Sequence, residues 1–399
     1  MYYNERIYPP GGPTVTEKLY YIDSLRTEFT ARVLSCEAAK DAFDVVLDRT
    51  AFFPEGGGQP GDAGMLGSVR VLDTRERDGV VLHRCTGPLG VGAEVSGAVD
   101  RELRFARMQI HSGEHIVSGT AHREWGCENV GFHMTERAAV LDFDRELDAQ
   151  QLSALERMAN EAVWADLPIR ILTPSPEELA GITFRQKKEL TGQIRLVEIP
   201  GVDLCACCAP HMPGTGRIGL IQFTDAARHR GGMRITMKAG RAAYEAAAAL
   251  SSEADSLSRL FSAPREGLAE AAGRLLERQE AQEAARVALE RKYCALLVEK
   301  TPETAGNIAL FESDGLSAAA LRELAGALAE KCGGVAGVFA GADGAWRCVL
   351  ASKSVDLRQW VRPFNAALRG RGGGSPEMVQ GSAGASRREI EEYMDGQNG

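Results

Sequence analysis

The chain has 399 residues, 44% of them hydrophobic and 25% charged, with a formal net charge of −9 at pH 7. That length exceeds what one hydrophobic core usually carries, so roughly two to four domains are expected; the acidic balance excludes a uniformly basic nucleic-acid binder but leaves room for local basic patches. Nine cysteines, odd in number and scattered, do not make a disulfide framework, and residues 1–10 hold no signal-like apolar stretch, so the expectation is a cytoplasmic protein with no membrane segment.

Residues 1–92 read as all-β. Short apolar segments at 31–34, 43–47, 69–72 and 80–82 are separated by Gly, Pro and Asp turns, a spacing that suits a small barrel. Within them lies a glycine-rich motif, residues 50–62, containing Gly56-Gly57-Gly58-Gln59. Glycine content alone predicts a flexible hairpin loop, and no Lys-Ser/Thr pair follows to make it a phosphate loop. Its functional reading is a backbone wall that lets a ligand approach closely, with Gln59 and Thr50 as polar readers.

Residues 93–240 mix helix and strand. A helix over 101–120 carries His111-Ser112-Gly113-Glu114-His115. Strands follow within 130–143, then an amphipathic helix over 152–165, strands at 169–172 and 194–197, and a cysteine-rich loop, Cys205 to His211. Basic residues collect at Arg185, Lys187, Lys188 and Arg195, and again at Arg228, Arg230, Arg234, Lys238 and Arg241. Either cluster could be a solvated surface or a phosphate-lined approach.

Two imidazoles at i and i+4 on a helix lie one above the other and can hold one cation. Two histidines leave zinc under-coordinated, and Cys207 with His211 repeats the same spacing. One thiolate and three imidazoles favour zinc over magnesium or calcium. Cys205 or Cys208 could replace Cys207, although only Cys207 has the four-residue spacing to His211.

The helix also reads His-x-x-Glu-His, a metalloprotease pattern in which Glu114 would be the general base. Such enzymes take a carboxylate as third ligand, which would leave Cys207 and His211 without purpose. A closed four-ligand site could equally be structural, in a zinc-stabilised RNA-binding protein. On the helix Glu114 points away from the face shared by His111 and His115, which predicts a solvent-facing carboxylate.

Residues 241–300 predict a helical hairpin broken at Ser262-Ala263-Pro264, with Ser262 capping the second helix and Pro264 in its first turn. Leu268, Leu275, Leu289 and Leu296 fall on a seven-residue spacing that Gln282 interrupts, so a homodimer through 241–399 stays open. Residues 301–399 return to α/β, with strands at 308–311, 335–339 and 346–351 and helices at 317–331 and 357–368. They end in a glycine-rich loop, 370–381, containing Gly373 beside Arg358, Arg362, Arg369 and Arg371, groups that could hold a nucleic-acid backbone.

Taken together, these motifs resemble the free-standing alanyl-tRNA editing proteins of the AlaX type in their long form, relatives of the editing and C-terminal parts of alanyl-tRNA synthetase. The resemblance rests on the 50–62 motif, on His111-Ser112-Gly113-Glu114-His115, on residues 197–203 leading into the second zinc motif, on Gly216-Arg217-Ile218-Gly219, and on the 372–381 glycines. It departs where the synthetase usually has Cys-Gly-Gly-Thr-His: here Cys208-Ala209-Pro210 fill the middle, without that flexibility or hydroxyl.

The resemblance implies an α+β multidomain protein. Its parts would be an N-terminal β-barrel (1–92), a zinc-binding editing domain (93–240), a helical hairpin linker (241–300) and a C-terminal α/β DHH-associated domain (301–399). It further implies zinc on His111, His115, Cys207 and His211, and hydrolysis of tRNA(Ala) mischarged with serine or glycine. Gln59 and Thr50 would read the serine hydroxyl, and Arg362, Arg369, Arg371 and Gly373 would contact tRNA. With so little chain ahead of the barrel, an ATP-dependent aminoacylation module is not expected.

Overall fold

The structure is a computed structural model that describes residues 15–135, 137–186 and 194–397. The fold is mixed α+β with several domains. By its contacts the chain divides into two compact units, Met1–Ala254 and Asp255–Gly399.

In the first unit, six strands close into a barrel: Glu28–Ala39, Ala42–Leu47, Val80–Cys85, Val69–Arg77, Gly64–Leu66 and Glu94–Val99. The closing strand lies past residue 92. Alternation drives the closure, since Phe29, Ala31 and Val33 point inward from the first strand while their neighbours face solvent. Val45, Leu47, Phe52, Leu66 and Val71 fill the interior with them.

Thr50 and His83 are buried there too, joined by a 2.8 Å Oγ1–Nε2 hydrogen bond. Thr50 Oγ1 also accepts the Phe52 N–H at 3.1 Å. Burial holds the His83 imidazole down at about pKa 4, so it sits in the barrel uncharged.

The histidine-bearing helix runs Arg101–Trp125, longer than its pattern predicts. Asp100 caps it by accepting the Leu103 N–H, and Gly126 ends it in the left-handed conformation (φ 63°). It is central, with every residue from Ile110 to Ala121 buried. A four-stranded antiparallel sheet packs against it, in the order Ile221–His229, Gly232–Ala239, Ala139–Phe143, Asn129–Met134. Helix Ala149–Trp164 completes this core through Leu155, Ala159 and Val163. A three-stranded sheet, Arg170–Leu172, Leu196–Ile199 and Asp203–Ala206, delivers the second cysteine–histidine motif.

What fastens the barrel to the helix is a buried ion pair that the hydrophobic pattern does not announce. Arg104, with no exposed surface, donates Nε to Asp62 Oδ2 at 2.8 Å. Its Nη2 also reaches Asp62, and donates to the Ala51 carbonyl at 2.5 Å. Nη1 donates to the Ser24 carbonyl at 3.1 Å. One turn on, Arg107 donates to the Gly61 carbonyl at 2.8 Å. Asp62 meanwhile accepts the Phe53 N–H at 2.7 Å, bracing the glycine-rich motif from within.

The long helices Arg241–Phe261 and Leu268–Lys300 occupy the predicted hairpin region, but Ser262 does not cap the second. It adopts φ 50° in the turn, and Gly267 precedes the helix. The second unit holds a five-stranded sheet in the order Ile308–Glu312, Val335–Ala340, Trp346–Ser352, Met378–Ala383, Arg371–Gly374. Helix Ala318–Ala329 covers one face; Leu357–Ala367 and Arg387–Gly396 cover the other. Val335–Ala340 is buried throughout, the reason its sequence is apolar without alternation.

The 370–381 segment is not a loop. It is the antiparallel edge hairpin Arg371–Gly374 and Met378–Ala383. A Cβ on Gly372 would sit 2.5 Å from the Gln380 carbonyl oxygen, and one on Gly374 2.2 Å from that of Met378. Gly372 and Gly374 are a packing requirement, whereas a Cβ on Gly373 would meet nothing within 4 Å.

Replacing Arg104 by Met leaves Asp62 buried without its counter-charge and should cost about 3–5 kcal/mol of stability. Urea unfolding measures it; a loss below about 1 kcal/mol would make the pair incidental.

Candidate metal centre

The face of the helix carrying Arg104 and Arg107 continues, at helical spacing, to His111 and His115. The glycine-rich motif runs alongside it in the opposite direction: Asp62 meets Arg104, Gly61 meets Arg107, and Gln59 meets His111. Gln59 is placed by a tight turn in which Gly56 and Gln59 exchange backbone hydrogen bonds of 3.0 Å. Gly57 (φ 60°) and Gly58 (φ 81°) occupy its two centre positions, where two positive φ values favour glycine. The flexible loop that glycine content suggests is therefore a defined turn. It lies against the metal motif, since a Cβ on Gly57 would be 3.5 Å from Cys208 Sγ and 3.8 Å from His111 Cε1.

His111, His115, Cys207 and His211 converge so that one ligand atom from each lies within 4.8 Å of the others. All are buried except Cys207, which is half-buried. Cys207 Sγ is 3.5 Å from His111 Nε2 and 3.4 Å from His211 Nε2. A tetrahedral zinc with Zn–N about 2.0 Å and Zn–S about 2.3 Å spans an N···S edge of about 3.5 Å, so the donors present fit that ion.

The far nitrogen of every ring is held from behind. His111 Nδ1 lies 2.9 Å from Gln59 Oε1, His115 Nδ1 2.9 Å from Asp203 Oδ2, and His211 Nδ1 3.1 Å from Ser112 Oγ. Oxygen acceptors at Nδ1 favour the tautomer that leaves Nε2 as the donor atom. Burial keeps His211 well below its ordinary pKa, and the neighbouring imidazoles add to the effect. Burial pushes the Cys207 thiol up, while the Ala209 N–H and Arg195 pull the other way. A thiolate there is best stabilised by a cation among the same four side chains.

Cys205 falls in a different grouping, with His115 and Asp203, and Cys208 is exposed. Arg195 pins the cysteine loop by donating to the Cys207 and Ala209 carbonyls at 2.7 and 3.0 Å. Arg185 is likewise committed, to Asp203. Of the second basic group, Arg234 pairs with Asp142 and Arg228 with Glu146. Lys187 and Lys188 lie outside the described residues.

Two expectations about polar residues change. Glu114 is not solvent-facing: it is 1% exposed, because this helix is covered on all sides. Its Oε1 accepts from Ser118 Oγ at 2.6 Å and Asn129 Nδ2 at 2.7 Å, and Oε2 lies 3.9 Å from His115 Nε2. Thr50 spends its hydroxyl inside the barrel on His83 and Phe52. Gln59, by contrast, uses only its oxygen: Nε2 is buried without a partner.

In the second unit Arg369 is held by both Glu389 oxygens at 2.9 Å, and Arg358 by Asp356 at 2.7 Å. Arg362, Arg371 and Gly373 are exposed. Reasoning from the sequence missed Arg104, Asp62, Ser112 and Asp203 as parts of the site. All but Arg104 lie within segments already singled out, 50–62, 111–115 and 197–203, which is the one signal that could have found them.

The sequence matches place this fold among domains associated with tRNA synthetases, with a C-terminal DHHA1 domain. Residues 16–103 match the family "tRNA synthetases class II (A)", 194–241 the "Threonyl and Alanyl tRNA synthetase second additional domain", and 304–393 the "DHHA1 domain". The chain is homologous to alanyl-tRNA synthetases and to an alanyl-tRNA editing protein. It is 40% identical over 249 residues to the alanine–tRNA ligase of Halobacterium salinarum (58% of this chain, 27% of that one). It is 32% identical over 217 residues to the alanyl-tRNA editing protein AlaX-L of Pyrococcus horikoshii (52% and 54%). It is 33% identical over 395 residues to the alanine–tRNA ligase of Pyrobaculum neutrophilum (92% and 42%). The chain thus spans about half the length of these relatives or less.

Cys207→Ala should lower zinc affinity at least about tenfold, while Cys205→Ala and Cys208→Ala change it little. Competition with a chromophoric chelator reads this directly. Full affinity in Cys207→Ala would remove it from the ligand set.

Proposed function

We propose that this protein is an aminoacyl-tRNA deacylase that removes serine from mischarged tRNA(Ala). Zinc held by His111, His115, Cys207 and His211 would supply Lewis-acid polarisation at the ester end of the substrate. An aminoacyl ester is already activated, so positioning beside such a centre suffices for hydrolysis.

The observation that carries the reading is Gln59. Its oxygen is spent on His111, and its buried, partnerless Nε2 is a donor kept at the edge of the centre. An unsatisfied buried donor costs about 1–3 kcal/mol, a cost that a bound hydroxyl would relieve. A purely structural zinc knob has no use for such a group. Serine offers the hydroxyl and alanine does not, and hydrogen bonding to a hydroxyl discriminates far better than a pocket sized for one methyl group. We assign this reading to Gln59 rather than to Thr50. Glu114, tied to Ser118 and Asn129, we assign to fixing the helix against the sheet, which weakens the protease alternative.

We also propose that Arg362, Arg371 and Gly373 on the exposed edge hairpin contact tRNA, with Arg369 shared between that role and Glu389. The apolar side chains exposed on Leu268–Lys300, among them Leu275, Leu289 and Leu296, offer a surface for a second copy. Among the described residues no helix is long and apolar enough to cross a membrane.

The test is incubation with Ser-tRNA(Ala) and with Ala-tRNA(Ala), with and without chelator. Chelator-sensitive loss of serine alone is the expected result; peptide cleavage, or RNA binding without turnover, would overturn it. In the same assay Gln59→Leu should narrow the serine-to-alanine ratio by about tenfold or more with zinc content unchanged; intact discrimination would move the role elsewhere.

Replacing Arg362 and Arg371 together by Ala should weaken tRNA binding and flatten its salt dependence by about one unit of log–log slope for each phosphate released. Affinity measured at several salt concentrations decides this. An unchanged slope would free the hairpin from that role.

A further inference from the structure

His115 differs from the other histidines of the centre in what stands behind it. Its Nδ1 faces a carboxylate, Asp203 Oδ2, at 2.9 Å, where His111 faces an amide oxygen and His211 a hydroxyl. Asp203 is in turn gripped by Arg185, whose Nε donates to Oδ1 at 2.7 Å and Nη2 to Oδ2 at 2.9 Å. The Asp203 side chain is 1% exposed and that of Arg185 10%, so the chain from guanidinium to imidazole runs through protein rather than water.

Arg185 is itself placed by backbone pairing beside strand Asp203–Ala206: its N–H donates to the Leu204 carbonyl and its carbonyl accepts the Ala206 N–H.

A second, independent observation lies one helical turn beyond His115. Gly119 sits inside a helix, where glycine costs about 1 kcal/mol relative to alanine. A Cβ there would be 2.6 Å from Asp203 Cβ and 2.6 Å from the Val202 carbonyl oxygen. The missing side chain is what lets the strand bring Asp203 up to His115.

His115, Asp203 and Cys205 also lie close enough to be considered as a second metal site. That reading fails on the carboxylate, because both Asp203 oxygens are already engaged by Arg185.

We propose that Asp203 is the positioning residue of the metal centre: it fixes the His115 tautomer and ring orientation, with Arg185 holding the carboxylate and Gly119 making the approach. The proposal rests on the zinc-site reading above. A carboxylate behind a ligating imidazole makes that ligand more basic and better aimed, and losing such a partner typically lowers metal affinity about 10–100-fold.

The experiment measures zinc affinity by chelator competition and the visible spectrum of the cobalt(II)-substituted protein, alongside melting temperature, for the whole chain. Asp203→Ala should lose about 10–100-fold in zinc affinity and lose intensity in the tetrahedral cobalt bands as His115 is released. Asp203→Asn, whose amide oxygen can still accept from Nδ1, should recover part of both. Gly119→Ala should weaken zinc binding although it favours the helix.

Arg185→Gln separates positioning from simple stabilisation. It removes the ion pair but leaves Asp203 able to accept from His115, so it should lower the melting temperature while losing clearly less zinc affinity than Asp203→Ala. Unchanged affinity and spectrum in Asp203→Ala would overturn the proposal. So would equal affinity losses in Asp203→Ala and Arg185→Gln that merely follow stability. A wild-type protein that binds neither zinc nor cobalt would sink the metal reading and this one together. Intact Asp203 effects in a protein that fails to deacylate Ser-tRNA(Ala) would sink only the proposed function.

Discussion

The first unit depends on one buried ion pair. Arg104 and Asp62 are both out of solvent, and the pair is tolerable only because the backbone carbonyls of Ala51 and Ser24 and the Phe53 N–H satisfy what remains of it. A pair of this kind specifies position more than it adds stability. It locks the glycine-rich motif of the barrel to a fixed register on the central helix. Two turns later that register brings Gln59 to His111. From there the same helix presents Ser112 to His211 and His115 to Asp203, so each ring is oriented by a different part of the chain. The centre is thus a meeting of barrel, helix and cysteine loop, and none of the three could form it alone.

Much of this was legible in the sequence. Two pairs of metal-binding side chains at four-residue spacing, ninety-two residues apart counted from His115 to Cys207, are a local signal; only His111 and His115 lie on a helix, while Cys207 and His211 sit in the loop after strand Asp203–Ala206. Short apolar segments at 31–34, 43–47, 69–72 and 80–82 gave the barrel, and the apolar run at 335–339 gave a strand, which the structure buries throughout. What the sequence withheld was of two kinds. Glu114 looks like a surface carboxylate because helical periodicity distinguishes faces only when one face is wet, and this helix has no wet face over its middle turns. Arg104, Asp62 and Asp203 look like ordinary charged residues, because a pairing between distant segments leaves no periodic trace.

Glycine was the residue most easily misread. At 57 and 58 it encodes a rigid turn with positive φ; at 372 and 374 it allows two strands to close; at 119 it admits Asp203. In none of these does it confer flexibility. The arginines beside the edge hairpin are all exposed on a chain that is acidic in sum, but Arg358 and Arg369 are engaged by the carboxylates of Asp356 and Glu389. Local placement, rather than the net charge of −9, governs where an RNA backbone could settle.

The central claim is that a single zinc ion is bound by one sulfur and three imidazole nitrogens drawn from two distant motifs. X-ray absorption at the zinc edge of the purified full-length protein tests it most directly. The account predicts one zinc–sulfur distance of about 2.3 Å and three zinc–nitrogen distances of about 2.0–2.1 Å, with the multiple-scattering pattern of imidazole. A shell of two or more sulfurs, or one made mainly of carboxylate oxygens, would contradict it.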